Sequence, residues 1–128
     1  MRIETYFARP ELDGRALGVA RRLEGALPSI PTIRIVDVIL TDFSLDPALS
    51  AELFADPVVQ KVAASPAPEE LGDWDWLVEV APRPGVTDTL AITAREAMNI
   101  ALASGKPPAV LPPGSLVQTS RLLLVGFH

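Results

Sequence analysis

One short pattern occurs twice in this chain, and it limits the fold more than any other feature. Arg83-Pro84-Gly85-Val86-Thr87-Asp88 separates a run with strand character, 76–81, from a run with helix character, 89–103. Near the start, Arg9-Pro10-Glu11-Leu12-Asp13 stands in the same way between runs at 3–7 and 15–27. The copies continue past the turn. Asp13, Ala16, Leu17 and Leu23 align with Asp88, Ala91, Ile92 and Met98, and the first turn is one residue shorter. Two copies of one strand–turn–helix unit predict a duplicated architecture in which one half buries the other.

Periodicity fills in the elements around the two turns. Ile3, Thr5 and Phe7 alternate with Arg2, Glu4 and Tyr6, as in a half-buried strand. Pro10 ends that strand because proline cannot donate to a ladder. Asp13 is placed to cap a helix in which Ala16, Ala20, Leu23 and Leu27 recur at helical spacing and Arg15, Arg22 and Glu24 face water. Residues 32–41 form a β-branched run with apolar residues on both faces, so both faces need cover. The second half of the chain is expected to supply it. Asp46-Pro47 opens a short helix through Leu49, Leu53 and Phe54, and a short strand follows at 58–62. Residues 64–73 are small and Pro-rich, the expected linker. Then come a strand at 76–81, a helix at 89–103 closed by Ser104-Gly105, a stiff Pro-rich loop at 106–114 and a last strand at 116–127. The chain thus divides into a half at 1–63, a linker at 64–73 and a second half at 74–128.

Composition narrows the function classes. Of 128 residues, 48% are hydrophobic, enough for a packed core. The net charge of −5 carries no basic stripe, which argues against nucleic acid. The chain has no cysteine, so thiol nucleophiles, disulfides and thiolate metal sites are excluded. The first residues lack the apolar core of a signal peptide, and no apolar run approaches the roughly 20 residues that span a bilayer. The expectation is a soluble, cytoplasmic chain without a membrane partner.

These residues resemble the small PurS subunit of phosphoribosylformylglycinamidine synthase, and still more the N-terminal domain of the larger synthase subunits, which is similar to two such units fused. In the first half the resemblance rests on Leu12-Asp13-Gly14-Arg15-Ala16, Ile35-Val36-Asp37-Val38 and the stretch from Glu52 to Gln60. In the second it rests on Glu79-Val80, the Arg83 to Asp88 string, Thr93-Ala94 and Gln118-Thr119-Ser120-Arg121-Leu122. The first turn departs from the family's longer Pro-Gly form. The resemblance implies an α+β, two-layer fold with antiparallel sheets, helices on one face and two halves forming an internal pseudo-dimer. It implies a non-catalytic part that docks the glutaminase beside the synthase in de novo purine synthesis. The implied partners are the synthase catalytic domains and the glutaminase. The parent enzyme is a glutamine-dependent, ATP-consuming ligase, but this chain alone is expected to perform neither reaction and to need no cofactor.

Each candidate site has a plain structural reading beside the functional one. Pro84, Gly85 and Asp88 read as a turn and a cap, whereas Arg83 and Thr87 are candidates for a docking surface. Arg9 and Asp13 hold the related positions in the first half, and Arg9 with Arg83 is expected to serve one interface. Thr119, Ser120 and Arg121 open an apolar strand, where Arg121 reads as an edge charge against aggregation or as a contact to a partner or phosphate. Trp76 reads as a core anchor with Asp75 toward solvent. No metal-loop spacing, phosphate loop or nucleophile–base pair is present, and the only histidine is His128. No catalytic or metal-binding residue is therefore assigned. A rival reading is a small-metabolite-binding regulatory module of duplicated βαβ type, with its ligand between the halves.

Overall fold

The computed structural model describes residues 1–29, 31–63 and 71–127. The chain is α+β. Its strands are β1 (Arg2–Phe7), β2 (Thr32–Thr41), β3 (Gln60–Ala63), β4 (Trp76–Val80) and β5 (Val117–Gly126), and its helices are α1 (Gly14–Leu23), α2 (Pro47–Phe54) and α3 (Thr89–Ala103). All five strands form one antiparallel sheet in the order β3-β1-β2-β5-β4.

The two segments β1-α1-β2 and β4-α3-β5 meet along the longest ladder, which runs from Thr32 opposite Gly126 to Thr41 opposite Val117. The second half therefore does not lie over the open face of the first, as periodicity suggested. It extends the same sheet sideways. The physical reason is that β2 and β5 are both ten-residue, apolar strands, and pairing them satisfies two long edges at once.

Helices cover one face. Ala16 of α1 packs on Ile33 and Ile35 of β2. Ala94 and Met98 of α3 pack with Ile3, Leu45 and Leu111, and α2 adds Leu49, Leu53 and Phe54. Met98 and Ile3 are both fully buried in this layer. On the other face Tyr6, Val36, Val38, Leu122 and Leu124 form a second cluster, with Leu71 packed on it. Both faces of β2 are buried, as its blurred alternation predicted. Glu4 lies within the helix-free face and accepts a hydrogen bond from Arg2 Nε at 2.8 Å, so its burial is compensated. The expected linker lies outside the described residues over 64–70.

The two turns differ for one local reason. In the second, the Val86 N–H donates to the Arg83 carbonyl at 3.0 Å, with Pro84 and Gly85 between them and Gly85 at φ +85°. That is a type II turn, which needs glycine at its third position. In the first turn Glu11 stands there. It cannot adopt that φ cheaply, and residues Pro10–Leu12 form a 3-10 turn instead.

Some expected bounds shift. Helix α1 ends at Leu23 rather than reaching Leu27, with Gly25 at φ +88° just beyond. Strand β3 begins at Gln60 because Asp56 folds the preceding segment into a turn, its Oδ1 accepting from the Val58 N–H at 2.9 Å. Helix α3 spans the expected residues.

Trp76 is the clearest correction. It is 66% exposed and is no core anchor. Helix α3 packs over β5 and, through Met98, into the cluster around Ile3 of β1, which leaves β4 at the sheet edge without a helix above it. Every residue of β4 is exposed.

Candidate functional site

The second turn and the start of β5 meet at a groove of about 550 Å³ on the helix face. Val19 and Ile35 of the first half form one wall, and Val80, Val86 and Leu90 of the second form the other. Thr87, Asp88, Thr119, Ser120 and Arg121 all line it, so five of the sequence candidates come together here. Arg83, Pro84 and Gly85 line a smaller recess that adjoins it and shares Asp88, Thr119 and Ser120.

Asp88 is the structural hinge of this site. Its Oδ1 caps α3 by accepting from the Ala91 N–H at 2.9 Å and also accepts from the Thr119 hydroxyl at 2.8 Å. Its Oδ2 accepts from the Thr119 N–H at 2.7 Å. Burial alone pushes the carboxyl pKa up, but the bonds from Ala91 and Thr119 outweigh it and hold the group below its ordinary value. Asp88 thus ties the start of α3 to the start of β5 and is not available as an acid or base. Asp13 does the matching work in the first half, accepting from the Arg15 and Ala16 N–H groups at 3.1 and 3.2 Å. Ala16 and Ala91, aligned by sequence, are both buried and both bond their cap.

Arg121 lies on β5, an interior strand between β2 and β4. The edge-charge reading is therefore corrected: an edge role depended on strand order, which periodicity does not encode. Arg121 instead faces Asp37 across the β2–β5 ladder, with Nε 3.4 Å from Oδ1. Asp37 is shared. Arg15 grips it with two bonds, Nη1 to Oδ1 at 3.0 Å and Nη2 to Oδ2 at 2.8 Å. The Asp37 hydrogen bond is the main cause that raises the Arg15 pKa, against a smaller opposing effect of burial. Two guanidiniums thus share one carboxylate, and among the described residues the Arg121 Nη groups carry no further bond. Arg15 and Asp37 were not singled out from the sequence as site residues. The signal was there: Asp37 is a lone acid within an apolar β-branched run.

Arg9 and Arg83 do not share an interface. Strand β1 ends beside the Thr32 end of β2, whereas β4 ends beside the Thr41 end. The two turns therefore lie at opposite ends of the sheet, as the antiparallel β2–β5 junction requires. Arg9 pairs with its neighbour Glu11 at 3.2 Å, and Asp13 is buried at the α1 cap, where Arg15 links it to Asp37.

Ser120 donates to Glu79 Oε1 at 2.7 Å, linking β5 to β4. No group of three or more metal-ligating acids, histidines or cysteines occurs among the described residues. Among them no helix is long and apolar enough to cross a membrane. No known family model, curated protein or solved structure matches this chain.

Proposed function

We propose that this chain is a non-catalytic docking domain of a phosphoribosylformylglycinamidine synthase, which positions the glutaminase beside the synthase core. The observation that carries the reading is the open surface around the Arg83 to Asp88 turn. Val86 and Leu90 are exposed there beside an apolar groove, and Arg121 offers unused donors at its floor. A surface of that kind, apolar at its centre with one arginine, has the make-up of a protein interface. The same turn and the Thr119-Ser120-Arg121 segment carry the sequence resemblance.

The two segments β1-α1-β2 and β4-α3-β5 constitute the internal pseudo-dimer in this reading. Supporting it are the strand order, which sets β2 against β5 with β1 and β4 outside them, and the matched caps at Asp13 and Asp88. Helix α2 and strand β3 belong to the first half alone. The test is size exclusion of the chain with a synthase core lacking its N-terminal domain, with and without the glutaminase. The expected result is co-elution. Separate elution at tens of micromolar, about the weak end of specific interfaces, contradicts docking.

A second reading has one observation in its favour: the groove lies between residues of both halves, where a duplicated module would hold a metabolite. A thermal-shift screen with purines, nucleotides and amino acids tests it. Stabilisation by one class supports a sensing role, and none across the screen counts against it.

A further inference from the structure

The outer edge of β4 is an unprotected strand. Among the described residues nothing pairs with it, and Trp76, Leu77, Val78 and Val80 are between 40% and 66% exposed. Edge strands in soluble proteins are usually blunted by lysine, proline, a bulge or shortness. The opposite edge follows that rule, since β3 has four residues and carries Lys61. Strand β4 has no lysine, no proline and one charge, Glu79. It nevertheless has two faces of different character. Trp76, Val78 and Val80 point to the helix side, opposite Val125, Leu123 and Arg121, while Leu77 and Glu79 point to the other.

We propose that this edge pairs antiparallel with the same edge of a second copy, in a register centred on Val78, to give a continuous ten-stranded dimer sheet. Charge selects both the occupant and the register. A twofold axis perpendicular to the sheet keeps helices on the same face of both copies and allows only registers centred on a residue. Centred on Val78, Trp76 faces Val80 of the second copy and Leu77 faces Glu79. Just beyond the strand ends, Asp73 of one copy falls opposite Arg83 of the other. The helix-side row then consists of aromatic and β-branched pairs, the combinations that stabilise cross-strand contacts. The neighbouring registers fail. Centred on Leu77, Asp75 meets Glu79 twice. Centred on Glu79, that acid meets its own copy. Centred on Trp76, Asp73 meets Glu79. Centred on Val80, Val78 and Trp76 fall opposite Pro82 and Pro84, which have no N–H to donate. Within the strand, one register of five is therefore free of both like charges and proline, and Pro82 falls opposite Trp74 only beyond it, next to the opposite charges that meet at both rims.

The dimer goes beyond the docking role and is read on the isolated chain, without synthase or glutaminase. The experiment is sedimentation equilibrium over roughly 1–100 µM, a range that brackets micromolar affinity. The expected species has twice the 13.7 kDa chain mass. Val78→Lys sets two like charges face to face and is expected to leave a monomer over the whole range. Val110→Lys, at an exposed loop position away from this edge, is expected to leave the dimer intact. Charge reversal tests the register. Asp73→Arg alone and Arg83→Asp alone each weaken the dimer, and the double variant recovers it. Circular dichroism verifies that each variant is folded, and the reversals lie outside the strand, so they report on pairing even where Val78→Lys loses structure. A monomer at the highest concentration overturns the proposal. So does a dimer that survives Val78→Lys in a folded protein, or a double reversal that stays as weak as the single ones.

Discussion

A single carboxylate, that of Asp88, ties the start of α3 to the start of β5. It takes three hydrogen bonds, one from the helix it caps and two from Thr119. Asp88→Ala removes the cap and strands both Thr119 donors, at a cost of about 2 kcal/mol, measured by urea unfolding. The acid limb of stability carries the same signature. Because the folded carboxyl titrates below its ordinary value, its contribution is complete above the unfolded value near 4 and is lost as pH falls through the folded one. Asp88→Asn keeps a capping side chain but cannot titrate. Its stability is expected to fall less steeply than that of the parent as pH drops below about 4. A slope equal to the parent's would remove Asp88 from the account. The cap was legible in the sequence because it acts over three residues. The Thr119 bonds were not, since they join residues 31 positions apart. Trp76 shows the opposite failure. Its burial was expected from residue type, yet exposure is decided by which helix lies above a strand, and none lies above β4.

At the scale of elements, two glycines make opposite demands on their segments. Gly85 sits at φ +85° in the turn that delivers α3, and any side chain there is strained. Gly85→Ala is expected to destabilise by about 1 kcal/mol. Gly18 lies inside α1 without a positive φ, and a methyl group there meets nothing within 4 Å. Gly18→Ala is expected to stabilise by about 0.5–1 kcal/mol, because glycine is a poor helix former. Differential scanning calorimetry on the two variants reads both signs. Met98 is the third case, since it is wholly enclosed among Ile3, Leu45, Ala94 and Leu111. Met98→Ala is expected to cost about 2–5 kcal/mol by leaving a cavity. The elements themselves were largely legible. β2 and α3 fall where periodicity and caps put them, because both are long and strongly patterned. β3 and the end of α1 moved, because a side-chain turn at Asp56 and the exit after Leu23 are decided by one or two residues.

For the whole molecule, the decisive fact is the β2–β5 junction, which makes one sheet from the β1-α1-β2 and β4-α3-β5 segments. Its partners lie far apart along the chain, 84 positions in the case of Asp37 and Arg121, so no local pattern announced it. The junction has three consequences. It sends Arg9 and Arg83 to opposite ends of the sheet. It places Arg121 on an interior strand, where it shares Asp37 with Arg15. It leaves the groove and the β4 edge as the open surfaces of the second half. The groove was half legible: the second turn and Thr119 to Arg121 were singled out, but Asp37 and Arg15 needed the strand order.

Docking of the glutaminase on a synthase core is the central claim, and its most direct measure is glutamine-dependent turnover by a core lacking its N-terminal domain. Adding this chain with the glutaminase is expected to restore turnover, and Arg121→Glu, on the groove floor, is expected to abolish the gain while leaving ammonia-dependent turnover by the core unchanged. Glutamine-dependent turnover that stays at the level of the core alone, while ammonia still supports the reaction, would contradict it.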